Sequence, residues 1–188
     1  MNLLPFLQQF YAISEQDYEL ILSKCMNKQY EKGELITLEG MVQKELLFVN
    51  EGVQMSYFNN DGKMHIMAFT YPPSISGVPD SFFFQKPSKY NLEALNNSSF
   101  KAISFSKLNE LFDENHNIER LFRKITETVL AGMIQRHLEL HSLSMEQRFR
   151  LFAQRSPHLF QLVPHKYLAN YLHIDPTNFS KLYNRIKI

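Results

Sequence analysis

The chain has 188 residues, of which 44% are hydrophobic and 21% charged, and a formal net charge of +1 at pH 7. This composition is that of an ordinary globular protein, long enough to bury a substantial core in one or two domains. A single cysteine, Cys25, excludes an internal disulfide and an all-cysteine metal cluster. The sequence lacks both a membrane-spanning run of about 20 apolar residues and the features of a signal peptide, so we expect a cytoplasmic protein without a membrane partner.

The charge is unevenly distributed along the chain. Residues 1–112 carry nine Lys/Arg and twelve Asp/Glu, a net −3, whereas residues 142–188 carry seven Lys/Arg and two Asp/Glu, a net +5. A basic end on an acidic body is the pattern expected when that end contacts a polyanion. Chance also produces such windows, so charge alone identifies no partner.

The residues from about 29 to 106 are predicted to form short strands. β-Rich runs at 35–38, 46–49, 53–58 and 65–69 are separated by turn sequences, of which Asn59-Asn60-Asp61-Gly62 is the clearest. Five of the six glycines lie in this half, where tight turns require a positive φ. Short strands at regular spacing are typical of an antiparallel β-barrel or jelly roll.

A long helix is predicted from 117 to 143. Apolar residues recur along it at helical spacing and form one stripe: Ile118, Leu121, Phe122, Ile125, Val129, Met133 and Leu138. A helix of this length measures about 40 Å and overhangs a barrel of this size. We therefore favour a dimer interface along the stripe; the alternative is that the stripe packs on the helix's own domain.

The residues from 144 onward are predicted to be all helical and to end in a helix-turn-helix. Pro164 suits the first turn of its first helix, and the small side chain of Ala169 permits a close helix crossing. Asp175 is placed to cap the second helix, which spans about 176–187, and Pro176 suits its first position because that amide hydrogen has no helical acceptor.

In a helix-turn-helix the N-terminal residues of the second helix enter the major groove of DNA. Asparagine pairs well with adenine there, and lysine with guanine, whereas other polar residues nearby contact phosphates. The residues predicted at the base-contacting end are Thr177, Asn178 and Lys181, with Ser180 beside them. Those predicted to contact phosphates are Lys166, His165, Tyr167 and Arg185. The alternative is an ordinary helical hairpin with a solvated polar face, which would make the chain a ligand-sensing or protein-interaction module that does not bind DNA.

Several short motifs carry a family resemblance, among them Lys32-Gly33-Glu34-Leu35-Ile36, Leu47-Phe48-Val49-Asn50-Glu51-Gly52-Val53 and Asp61-Gly62-Lys63. Together with the order of barrel, long helix and helix-turn-helix, they resemble the CRP/FNR family of bacterial transcription regulators over nearly the whole chain. The resemblance implies an α+β fold: a cyclic nucleotide-binding-like antiparallel β-barrel at 1–116, a dimerisation helix at 117–143 and a DNA-binding domain at 144–188. It also implies a homodimer that binds double-stranded DNA. RNA polymerase is a further candidate partner.

The chain departs from the family members that bind cyclic AMP. In those members a glutamate follows the glycine of the phosphate-binding segment and an Arg-Ser pair ends it; here Val78 follows Gly77, and Pro87-Ser88-Lys89 replaces the pair. Because a phosphate needs charge-assisted partners, we do not expect a cyclic nucleotide to bind here. We expect no other cofactor either. A pocket for an unknown effector would be lined by Gly77, Val78, Ser81, Phe82, Phe83, Ser88, Lys89 and Tyr90. The alternative is that the aromatic residues simply fill the barrel.

The sequence contains no recognisable catalytic motif. His137 and His141 form an i, i+4 pair on the long helix, and His65 is the one histidine of the strand region. A metal-dependent enzyme on a cupin-type barrel needs several histidines on strands. We therefore predict that the chain is not an enzyme and has no metal site.

Overall fold

The computed structural model describes residues 2–186, which form an N-terminal β-domain, one long helix and a helical C-terminal region. The helices are α1 (Leu4–Leu7), α2 (Glu15–Ser23), α3 (Pro79–Phe84), α4 (Phe105–Glu114), α5 (His116–Ser142), α6 (Met145–Arg155), α7 (Leu159–Leu162), α8 (His165–Tyr171) and α9 (Pro176–Arg185). The strands are β1 (Met26–Tyr30), β2 (Leu35–Thr37), β3 (Glu45–Glu51), β4 (Gln54–Asn60), β5 (Lys63–Thr70), β6 (Ser74–Ser76), β7 (Asn91–Ala94) and β8 (Ser98–Ser104).

The β-domain consists of two four-stranded antiparallel sheets, with strand orders β1-β8-β3-β6 and β2-β7-β4-β5. Its tight turns follow local sequence. Asp61 and Gly62 both have positive φ in the β4–β5 hairpin, as a two-residue turn of this type requires. Gly52, between β3 and β4, has φ +92°, and a Cβ there would lie 2.8 Å from the carbonyl oxygen of Asn97. Strand β5 is an edge strand, so one side of it is open to contacts from outside the sheet.

The main core joins the first sheet to the helices around it. Phe48 of β3 and Phe82 of α3 are fully buried there, together with Leu3, Leu7 and Ile21 from the N-terminal helices, which were not predicted. The first half of α5 closes this core, and the ring of Phe122 lies 6.4 Å from that of Phe48. Helix α5 therefore begins as part of the β-domain.

The C-terminal helices have a core of their own, built around Phe149, Phe152 and Phe160 and the helix-turn-helix residues that face them. Val53 of the β-domain belongs to the same cluster, so this core continues into the barrel. The predicted α+β order of β-barrel, long helix and helical C-terminus is confirmed. Lys187 and Ile188, which the prediction included in the last helix and domain, lie outside the described residues.

Among residues 2–186 there is no helix both long enough and apolar enough to cross a membrane.

Candidate DNA-recognition site

Helices α8 and α9 form the predicted helix-turn-helix. The Asp175 carboxylate accepts hydrogen bonds from the backbone N–H groups of Thr177 (2.9 Å) and Asn178 (3.3 Å), and Pro176 is the first residue of α9. The turn before it contains His173 at φ +52°, a left-handed conformation that histidine tolerates better than most residues. The position of Pro164 differs slightly from the prediction, because it lies just before the first helical residue of α8 and not within the first turn.

The inward face of the motif is apolar. Leu168, Ala169, Phe179 and Leu182 are buried, and the Phe179 ring lies 5.3 Å from that of Phe149 in α6. These contacts orient α9 so that its other side faces solvent. On that side Thr177, Ser180, Lys181 and Arg185 are exposed. The structure thus brings four of the predicted recognition residues onto one open surface.

A shallow groove of about 280 Å³ runs between this surface and the start of α6. Asn178 lines it and is half-buried. The Arg185 guanidinium lies in the same groove and donates to the Glu146 carboxylate, which also accepts from Arg150 at 2.7 Å. Hydrogen bonds from Arg150, with the charge of Arg185 beside them, lower the pKa of Glu146. Arg185 is predicted from the sequence to contact a phosphate, whereas in the structure its guanidinium already has an anionic partner.

The three residues predicted to contact phosphates from α8 differ in their surroundings. Lys166 is exposed, with its ammonium 4.9 Å from the centre of the Tyr167 ring. Tyr167 is half-buried against the barrel. His165 packs on Tyr183, with ring centres 4.3 Å apart. Lys166 is therefore free to meet a phosphate, while the rings of His165 and Tyr167 make packing contacts.

Three side chains that the sequence did not suggest tie this motif to the rest of the molecule, and a fourth ties the long helix to α6. Arg148 donates to the carbonyl oxygens of Leu143 (2.6 Å), Leu172 (2.9 Å) and His173 (3.1 Å), and so holds the turn. Asn170 bonds to strand β5, Arg136 of α5 stacks on Tyr171, and the buried Glu139 pairs with Arg155 at 3.2 Å. A polar residue within a helical hairpin carries no sequence signal of such a contact, since its partner is remote in the chain.

The segment predicted to line an effector pocket is largely filled. Val78 and Phe82 are fully buried, and Ser81 accepts from the backbone N–H of Gln43 (2.9 Å) and donates to the carbonyl of Lys86 (2.6 Å). Ser88 is likewise bonded to the backbone of Tyr90. Gly77 is half-buried beside them, and burial raises the pKa of Tyr90, whose hydroxyl donates to Asp80.

Phe83 and Lys89 lie outside this buried group, because both are exposed. Within residues 77–90, all of them described, no buried side chain is cationic. A cyclic nucleotide phosphate needs charge-assisted donors. The residues present therefore do not fit that ligand.

The second half of α5 carries an apolar face without a partner in the monomer. Leu130, Met133 and Ile134 are 58%, 63% and 55% exposed, and Val129 and Leu138 continue the same face. His137 and His141 follow it, with ring centres 4.1 Å apart. In the described part of the chain no third His, Cys, Asp or Glu joins them to make a metal-binding group.

Comparisons with known proteins agree with this geometry. Residues 27–115 match the family model of the cyclic nucleotide-binding domain. None of the curated protein sequences that were compared matches the chain significantly. This part of the chain is therefore similar to a cyclic nucleotide-binding domain, although residues 77–90 lack the buried charges that the phosphate of such a ligand requires.

Solved structures extend the likeness beyond that domain. FixK2 from Bradyrhizobium japonicum has a TM-score of 0.74 and 20% identity, covering 86% of this chain and 83% of that one. The catabolite activator protein of Thermus thermophilus has a TM-score of 0.61 and 17% identity, with coverages of 94% and 84%. The c-di-GMP responsive global regulator CLP of Xanthomonas campestris has a TM-score of 0.65 and 13% identity, with coverages of 92% and 91%. The chain has the CRP/FNR fold, and the family resemblance seen in its sequence is confirmed at that level.

Proposed function

We propose that this chain is a homodimeric, sequence-specific DNA-binding regulator of transcription and not an enzyme. The observation that carries the proposal is the open face of α9, where Thr177, Ser180 and Lys181 are exposed at the N-terminal end of a helix anchored by Phe179 and Leu182. That end of the second helix is the part of a helix-turn-helix that contacts bases. The net +5 of residues 142–188 favours a polyanionic partner.

The dimer is proposed to form along the second half of α5. Apolar side chains at 130, 133, 134 and 138 lie on one helical face and are more than half exposed. Helices that repeat apolar residues in this way bury them against a second helix. In functional terms the chain then divides into a barrel (1–116), a dimerisation helix (117–143) and a DNA-binding domain (144–188).

The regulator is proposed to work without a cyclic nucleotide. Val78 and the bonded hydroxyls of Ser81 and Ser88 lie in the segment that corresponds by resemblance to the phosphate-binding segment, and none of them carries a charge. Millimolar cyclic AMP or c-di-GMP is expected to leave the thermal unfolding temperature unchanged. A saturable rise in that temperature would contradict this part of the proposal.

DNA binding is tested by selecting fragments from a random double-stranded library with the full chain and measuring their affinity. Asn178→Ala combined with Lys181→Ala is expected to weaken the selected fragment by about 10-fold or more, since each good base contact contributes roughly 1–3 kcal/mol. The matched control is the double variant Gln161→Ala and Lys107→Ala, which removes an exposed amide and an exposed lysine that do not belong to α9.

Binding should also fall steeply as the salt concentration rises. Equal affinities of the double variant and its control would remove α9 from the recognition site. If the wild-type chain retains no fragment at low salt, the alternative of a sensing or protein-interaction module is favoured instead.

A further inference from the structure

One asparagine of the helix-turn-helix makes two hydrogen bonds to the barrel. Asn170 of α8 accepts a hydrogen bond from the backbone N–H of Ile66 (2.9 Å) and donates one to the carbonyl of Met64 (2.8 Å). Both groups belong to β5, the edge strand of its sheet, where outward N–H and C=O groups have no neighbouring strand. The side-chain amide supplies one acceptor and one donor, so it satisfies both groups at once.

The next residue, Tyr171, is held from two sides. Its ring contacts the Phe69 ring of β5, with centres 5.3 Å apart. The Arg136 guanidinium of α5 lies 4.0 Å from the centre of the same ring and donates to the Tyr171 carbonyl oxygen. The end of α8 is therefore fixed to both the barrel and the long helix.

This attachment leaves the recognition face open. Thr177, Ser180 and Lys181 are exposed while α8 is docked. The docked arrangement therefore does not cover the face that is proposed to meet DNA.

We infer that Asn170 and Arg136 are positioning residues that set the orientation of the recognition helix relative to the dimer helix. The inference rests on the proposed function. A dimer must place two recognition helices about 34 Å apart at the same time. Because α8 must be docked in both protomers for that, the apparent affinity depends on the square of the docked fraction.

The test uses the full chain and the DNA fragment that the wild type selects from the random library. Two single variants are compared: Asn170→Ala, and Gln161→Ala as the control that removes an exposed amide. Hydrogen exchange at the Ile66 amide, followed by NMR, reports the contact directly and is expected to speed up about tenfold or more in Asn170→Ala alone. Affinity for the fragment is expected to fall about tenfold, as a smaller docked fraction requires.

The dependence of affinity on salt separates positioning from loss of structure. In Asn170→Ala its slope should stay at the wild-type value, because the phosphate contacts are the same once the helix is docked. Arg136→Gln should change affinity in the same direction, and the double variant should lose less than the product of the two single effects, since both side chains hold the end of α8.

Two results would overturn the inference: faster exchange at Ile66 with unchanged affinity, or a gain in affinity in Asn170→Ala. Either one leaves the wild type a DNA binder. A wild type that selects no fragment from the library overturns the proposed function itself, and the positioning role with it.

Discussion

The two halves of α5 belong to one continuous helix but have opposite surroundings. Ile118, Leu121 and Phe122 in the first half are buried in the core of the β-domain, whereas Leu130, Met133 and Ile134 in the second half are more than half exposed. The second half also contacts the C-terminal domain through Arg136 and Glu139. The same apolar periodicity thus packs against the β-domain in the first half, whereas in the second half it is exposed and could pack against a second chain.

The largest expected effect comes from the first half. Leu121→Ala removes a fully buried side chain and should lower the free energy of unfolding by about 2–5 kcal/mol, measured by urea denaturation. Val129→Ala, about two turns further along the same helix and 47% exposed in the single chain, should change the unfolding free energy of the monomer by less than about 0.5 kcal/mol, measured at a concentration too low for the dimer to form. Similar losses in both variants would mean that the halves do not differ as described.

The second half is tested by a charge on its exposed face. Ile134→Asp should convert the dimer to a monomer without unfolding it, and should weaken binding to the selected fragment by about 100-fold or more because two linked contacts become one. Sedimentation gives the oligomeric state. Thr128→Asp places the same charge on another exposed face of α5 and should remain dimeric. A wild type that is monomeric at micromolar concentration would contradict the proposed seam.

A carboxylate in each half provides a matched comparison of ion pairs. Glu139 is buried and pairs with the half-exposed Arg155, so Glu139→Gln should destabilise the C-terminal domain by about 1–2 kcal/mol in thermal unfolding. Glu127 pairs with Lys124 and Arg123 on the protein surface, where all three side chains are about half exposed. Glu127→Gln should give no measurable change in thermal unfolding. Equal effects of the two variants would mean that the buried ion pair of Glu139 stabilises the fold no more than the exposed pairs of Glu127.

The smallest expected effect is a pH dependence at the helix-turn-helix. Burial, with the charges of Arg136 and Arg148 nearby, lowers the pKa of His173. The unfolded chain therefore takes up the proton more readily, and stability should decline as the pH falls from about 7 to about 5. His173→Asn keeps a residue that tolerates the positive φ and should flatten that part of the profile. An unchanged slope in the variant would assign the effect to another group.

Local sequence was sufficient for the parts of the molecule whose contacts lie within a few residues. The cap of α9 by Asp175 next to Pro176, and the hairpin turn at Asp61 and Gly62, follow from residues adjacent in the chain. The strand region, the long helix and the helical C-terminus were predictable for the same reason, since periodicity reports which face of an element is apolar. The exposure of Thr177, Ser180 and Lys181, the predicted recognition residues, followed from that pattern too.

Tertiary structure decided what those faces meet. Periodicity alone could not divide α5 into a buried half and an exposed half, because an apolar stripe has the same spacing whether it packs on its own domain or on another chain. Periodicity also could not predict the hydrogen bond between Asn170 and Ile66, which are 104 residues apart, or the ion pair between Arg185 and Glu146. These contacts depend on how the C-terminal domain docks on an open strand edge, which arises from the packing of two cores and not from either segment by itself.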